Sequence, residues 1–92
     1  MNSENKLTAS VSDTAISTYD RYLDARGLNC PMPLLKAKQQ LHHLDAGQLL
    51  FIQATDPGSW ADFASYAELS KHELVFRKKL GNNFHFLLQK GE

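Results

Sequence analysis

Leu23-Asp24-Ala25-Arg26-Gly27-Leu28-Asn29-Cys30-Pro31-Met32-Pro33-Leu34 holds the decisive change of pattern in this chain. Up to Leu28 the residues alternate, with Tyr19, Arg21, Leu23 and Ala25 set against Asp20, Tyr22, Asp24 and Arg26, the period of an extended strand. Gly27 then supplies the freedom for a bend. Beyond Cys30 two prolines at alternate positions exclude a helix interior, where each removes a backbone donor and clashes with the preceding turn. They suit a first turn, whose N–H groups have no intrahelical partner, so a helix is predicted to start at Pro31 or Pro33. Met32 precedes a proline and is steered from helical dihedrals, which favours Pro33. With either start Cys30 lies within a turn of the positive end of the helix dipole, and its thiolate is expected to be favoured.

Working outward, Leu34, Ala37, Leu41 and Leu44 recur at three- and four-residue steps with Lys36, Lys38, Gln39, Gln40, His42 and His43 between them, an amphipathic helix. Asp45-Ala46-Gly47 ends it. The nearly continuous apolar run from Gln48 to Thr55 suits a strand buried inside a sheet. Asp56-Pro57-Gly58-Ser59 turns the chain, with Ser59 a candidate N-cap. Trp60, Phe63, Ala64 and Ala67 make a second helical stripe, from which Leu69 falls out of phase. Two alternating runs, Leu74 to Leu80 and Phe84 to Lys90, flank Gly81-Asn82-Asn83, residues of hairpin turns.

The resulting order is β-α-β-α-β-β. Right-handed crossovers of the early strand-helix-strand units place both helices on one face of a four-stranded mixed sheet, an α/β two-layer sandwich. Residues 1–18, rich in Ser, Thr and Asn without a sustained period, read as a flexible tail ahead of one domain over residues 19–92. Cys30 then falls between a strand's carboxyl end and a helix's amino end, a place usually exposed and commonly functional.

Composition narrows the function classes. Ten basic residues balance ten acidic ones, and the densest basic cluster is Arg77-Lys78-Lys79, so no direct nucleic-acid binding is expected. The longest apolar run, Leu49-Leu50-Phe51-Ile52, is strand length, so no membrane segment is expected. The single cysteine forms no internal disulfide, and no signal-peptide pattern opens the chain; the expected location is cytoplasmic. His42, His43, His72 and His85 match no common zinc spacing, and no metal or other cofactor is expected.

Cys30 is the candidate reactive residue, with Pro31 and Pro33 stiffening its setting and Arg26 and Lys36 as sources of positive charge if the fold brings them near. An isolated cysteine is often a small buried hydrophobe, but a loop before a helix start is not core. Hydrolysis would need a base that the sequence does not place, and internal redox cycling would need a resolving cysteine. What remains is chemistry one sulfur can do: carry a persulfide, pair with a partner's thiol, or be capped by oxidation.

The D-x-x-G-L-x-C-P-x-P pattern of Asp24 to Pro33, the following helix, the Asp56-Pro57 turn and His72-Glu73-Leu74 before the hairpin resemble the TusA (SirA-like) sulfur-carrier family over about residues 19 to 90. The resemblance implies that Cys30 accepts a persulfide sulfur from a cysteine desulfurase and passes it to a downstream acceptor protein. In the best-known branch the relay ends in 2-thiouridine at the tRNA wobble position. It implies no cofactor and no stand-alone catalytic turnover. Met32 stands where the tRNA-thiolation branch typically has Glu; it reads as a packing residue or as a soft contact for a partner. Asp24, Arg26 and Asp56 match recurrent family positions and read here as solvated or turn-forming residues. The other function carried by the sequence is a regulatory or redox-sensing interaction module that uses the Cys30 region as its docking surface.

Overall fold

The computed structural model describes residues 19–92, so the segment read as a tail, residues 1–18, lies outside the described residues. The elements follow the order β1 (Arg21–Ala25), α1 (Met32–His42), β2 (Leu49–Ala54), α2 (Gly58–Leu69), β3 (Glu73–Leu80) and β4 (Asn83–Gln89). This is the predicted β-α-β-α-β-β succession. The four strands form one mixed sheet in the order β1-β2-β4-β3. β1 runs parallel to β2, whereas β4 is antiparallel to both of its neighbours. The hairpin therefore inserts its second strand into the middle of the sheet and leaves β3 at the edge.

Pairing explains which residues become core. Leu23 lies beside Ile52, and Ala25 beside Ala54. Across the next interface Leu50, Ile52 and Ala54 face Leu88, Phe86 and Phe84. These residues share one side of the pleat, because side chains alternate along each strand. On that side they pack with Ala37 and Leu41 of α1 and Phe63 of α2. Both helices thus cover the same face. Phe63 and Phe86 are fully buried and stacked, with ring centroids 4.4 Å apart. Removing a buried aromatic of this kind costs about 3–5 kcal/mol through lost transfer energy and the cavity left behind.

Several boundaries differ locally from the pattern read in the sequence. β1 is shorter than the stretch from Tyr19 to Leu28, because Arg26 and Gly27 turn the chain. Gly27 adopts φ 84°, and its N–H donates to Thr55 Oγ1 at 2.9 Å, tying this turn to the end of β2. α2 begins at Gly58, so Ser59 lies inside the first turn instead of capping it. Ser59 is buried, and Asp56 satisfies the exposed backbone by accepting from the Gly58 N–H at 2.9 Å. Leu69, out of phase in the sequence, projects into solvent at the last residue of α2.

The final hairpin carries a feature hidden by its simple alternation. Leu74 pairs with Leu88 but Phe76 pairs with Leu87, a register shift that leaves Val75 as the extra residue. The bulge moves Arg77 and Lys79 onto the helix side. There the Arg77 guanidinium sits 4.2 Å from the Trp60 ring centroid and donates to the Trp60 carbonyl at 2.7 Å. A two-residue turn, Gly81-Asn82, closes the hairpin, with Gly81 at φ 63° and Asn83 already paired with Leu80.

Candidate functional site

Because β1 and β2 are parallel, the loops leading into α1 and α2 emerge at the same end of the sheet. Cys30 lies in the first of these loops and is exposed. The Met32 N–H donates to the Asn29 carbonyl at 2.8 Å, and Leu35 N–H to the Pro31 carbonyl at 3.0 Å, so the chain tightens into α1 directly after the cysteine. Met32 is the first helical residue, one position between the two predicted starts, with Pro31 at the cap position and Pro33 in the first turn. The Cys30-Pro31 peptide is cis. Pro33 is fully buried beneath the loop, while Met32 and Leu35 are exposed on its rim at 41% and 42%. The motif prolines thus divide their work: Pro31 shapes the cap and Pro33 anchors the helix start in the core.

The sulfur does not stand alone beside α1. Its Sγ donates a hydrogen bond to Asp62 Oδ2 on α2 at 2.7 Å. Gly58, the first residue of α2, makes this approach possible. A β-carbon there would lie 2.9 Å from Asp56 Oδ2, 3.2 Å from Cys30 Cβ and 3.4 Å from Sγ. The thiol is therefore set against the starts of two helices at once. The sequence pattern marked Asp56 but not Asp62. Asp62 sits four residues after Gly58, one helical turn along α2, and that spacing is the signal that could have found it.

The carboxylates push the sulfur's pKa in the direction opposite to the one expected from the helix start. The hydrogen bond to Asp62 is the largest influence and raises the thiol's pKa above its ordinary value; desolvation and the negative charges of Asp62 and Asp56 act in the same direction. A favoured thiolate was expected from the dipole of α1. The correction is physical: a full negative charge in hydrogen-bond contact outweighs a partial positive charge spread over a helix terminus. Arg26, a proposed source of positive charge, is engaged elsewhere. Its Nε donates to Asp24 Oδ1 at 2.8 Å and its Nη2 to Asp24 Oδ2 at 3.0 Å. That guanidinium holds the Asp24 carboxyl down at about 2.

Residues 21–90 match the profile of sulfurtransferase TusA. The chain belongs to the TusA family. It is 47% identical over 75 residues to the sulfur carrier protein TusA of Allochromatium vinosum, a match covering 82% of this chain and 99% of that one. It is also 38% identical over 72 residues to YrkI of Bacillus subtilis, covering 78% of this chain and 96% of YrkI. A third relative, YrkF of Bacillus subtilis, is 44% identical over 69 residues, which span 75% of this chain and 37% of YrkF. Within the family's matched span lie Cys30, Pro31, Pro33, Asp56, Gly58 and Asp62. No helix among the described residues is long and apolar enough to cross a membrane.

Proposed function

We propose that this protein is a sulfur carrier that accepts a sulfane sulfur on Cys30 as a persulfide and passes it to an acceptor protein. The observation that carries the reading is the exposed Cys30 sulfhydryl at the lip between two helix starts, inside the segment shared with the TusA family. A cysteine desulfurase is the proposed donor, the acceptor is a protein with its own thiol, and the cytoplasm is the proposed setting. The tRNA wobble 2-thiouridine relay is the destination to examine first. Pro31 and Pro33 support the site by fixing the chain on the sulfur's C-terminal side, and the exposed Met32 and Leu35 supply an apolar rim on which a partner docks.

The chemistry needs one sulfur and no cofactor. In loading, Sγ attacks the outer sulfur of the donor's persulfide, a new S–S bond forms on Cys30, and the donor departs as a thiolate. In unloading, an acceptor thiolate attacks the outer sulfur and Cys30 is the leaving group.

Incubation with a cysteine desulfurase and cysteine tests the proposal. Intact mass spectrometry is expected to show the gain of one sulfur atom on the wild-type protein and none on Cys30→Ser. Absence of the gain in both proteins, with an active desulfurase, overturns it.

A further inference from the structure

A carrier whose sulfur must attack another sulfur is best served by a thiolate, yet the structure surrounds this thiol with negative charge. Asp62 faces Sγ from α2 at 2.7 Å, and Asp56 faces it from the turn before α2. The first turn of α1, Met32-Pro33-Leu34-Leu35, carries no charge. On the β1 side Arg26 is held by Asp24. At Gly58 the absence of a side chain leaves room where a β-carbon would lie 3.2 Å from Cys30 Cβ and 3.4 Å from Sγ. The contact is thus built by two separate features of α2, a missing β-carbon and a carboxylate one turn later.

We propose that Asp62 is a catalytic residue of the sulfur-transfer site, hydrogen-bonded through Oδ2 to the empty carrier's sulfhydryl and receiving its proton when the sulfur attacks. The inference rests on the sulfur-carrier reading. In loading, the Sγ electron pair forms the bond to the donor's outer sulfur, the donor's S–S bond breaks onto its own sulfur, and the Cys30 proton passes to Asp62 and then to the departing thiolate. In unloading, the acceptor's thiol sulfur bonds the outer sulfur and gives up its proton to Asp62, the Cys30 S–S bond breaks onto Sγ, and Asp62 passes that proton to Sγ, which restores the hydrogen bond. Atoms and electrons balance without an added oxidant or reductant. Between transfers the neutral thiol is protected from adventitious alkylation and oxidation, because the thiolate is the reactive form.

The experiment reads the sulfur without any partner. The rate of Cys30 alkylation by iodoacetamide is followed as a function of pH in the wild type, Asp62→Asn and Asp62→Glu. D62N is expected to move the profile to lower pH and to raise the rate at about pH 7 by at least about threefold, while D62E keeps the wild-type profile in large part. A D62N profile that superimposes on the wild type overturns the proposal. In the wild type, the Asp62 side-chain carboxylate resonance is expected to respond when Cys30 loses its proton at high pH; a carboxylate resonance unaffected by that ionisation overturns it even if D62N fails to fold. Sulfur loading is measured separately. A shifted alkylation profile with no loading of the wild type defeats the carrier reading alone, and normal loading with an unshifted profile defeats the role of Asp62 alone.

Discussion

The two helices start side by side at one end of the sheet, yet they contribute opposite things to the cysteine between them. α1 gives the sulfur its place: Pro33 is buried, Pro31 caps the helix, and the loop before it exposes Cys30. α2 gives the sulfur its hydrogen-bond partner, Asp62, and through Gly58 the room to reach it, and that contact raises the thiol's pKa. A helix start offers positive potential in general, but that potential is partial and spread over several N–H groups. The difference is one of contact: a carboxylate hydrogen-bonded to the sulfur raises the thiol's pKa, where a helix start on its own favours the thiolate.

The comparison breaks most completely if the core that seats α2 is emptied. Phe63→Ala is expected to lower stability by about 3–5 kcal/mol, against about 2–5 kcal/mol for Leu41→Ala under α1, as measured by urea unfolding. If Phe63→Ala unfolds at the wild-type midpoint, the stacked Phe63–Phe86 pair does not hold α2 against the sheet. Next comes the approach of the sulfur to α2. Gly58→Val places a branched side chain where even a β-carbon meets Asp56 Oδ2 and Cys30, and is expected to cost about 1–3 kcal/mol and to slow sulfur loading. Loading and stability both unchanged would show that the close approach has no consequence.

The α1 side yields the smallest effects and sharpens the contrast. Arg26→Gln removes the partner that holds the Asp24 carboxyl at about 2, so carboxyl NMR is expected to find Asp24 near the ordinary value of about 3.9. Sign follows from linkage: a lowered folded pKa contributes stability above the unfolded value that is lost as pH falls through about 2. The pair is exposed, so little stability changes, and the Cys30 alkylation profile is expected to stay in place. A shift of that profile in Arg26→Gln would mean that the guanidinium acts on the sulfur after all.

Local patterns carried much of this fold. The prolines around Met32 marked the start of α1, the Leu34, Ala37 and Leu41 spacing marked its buried face, and the apolar run from Gln48 to Thr55 marked the interior strand that the structure forms over Leu49–Ala54. The bulge at Val75 was invisible because its cause lies across space: it turns Arg77 and Lys79 toward Trp60. The capping role given to Ser59 failed for a related reason, since Asp56 answers the Gly58 N–H and Ser59 is drawn into the interior. Cys30 was legible through its neighbours in sequence. Asp62 was not, being 32 residues away along the chain.

By itself the amino-acid sequence determined the order of elements, the side of each helix that is buried, and the position of the lone sulfur at a helix start, because periodicity and proline geometry act over a few residues. Only the tertiary structure decided the β1-β2-β4-β3 strand order and the hydrogen-bond partner that raises that sulfur's pKa. Both depend on which distant segments meet: β4 reaches β2 through long-range pairing, and Asp62 reaches Cys30 because parallel strands bring two helix starts together and Gly58 leaves room between them. Electrostatic forces on a thiol depend on distance in space, which separation along the chain does not reveal.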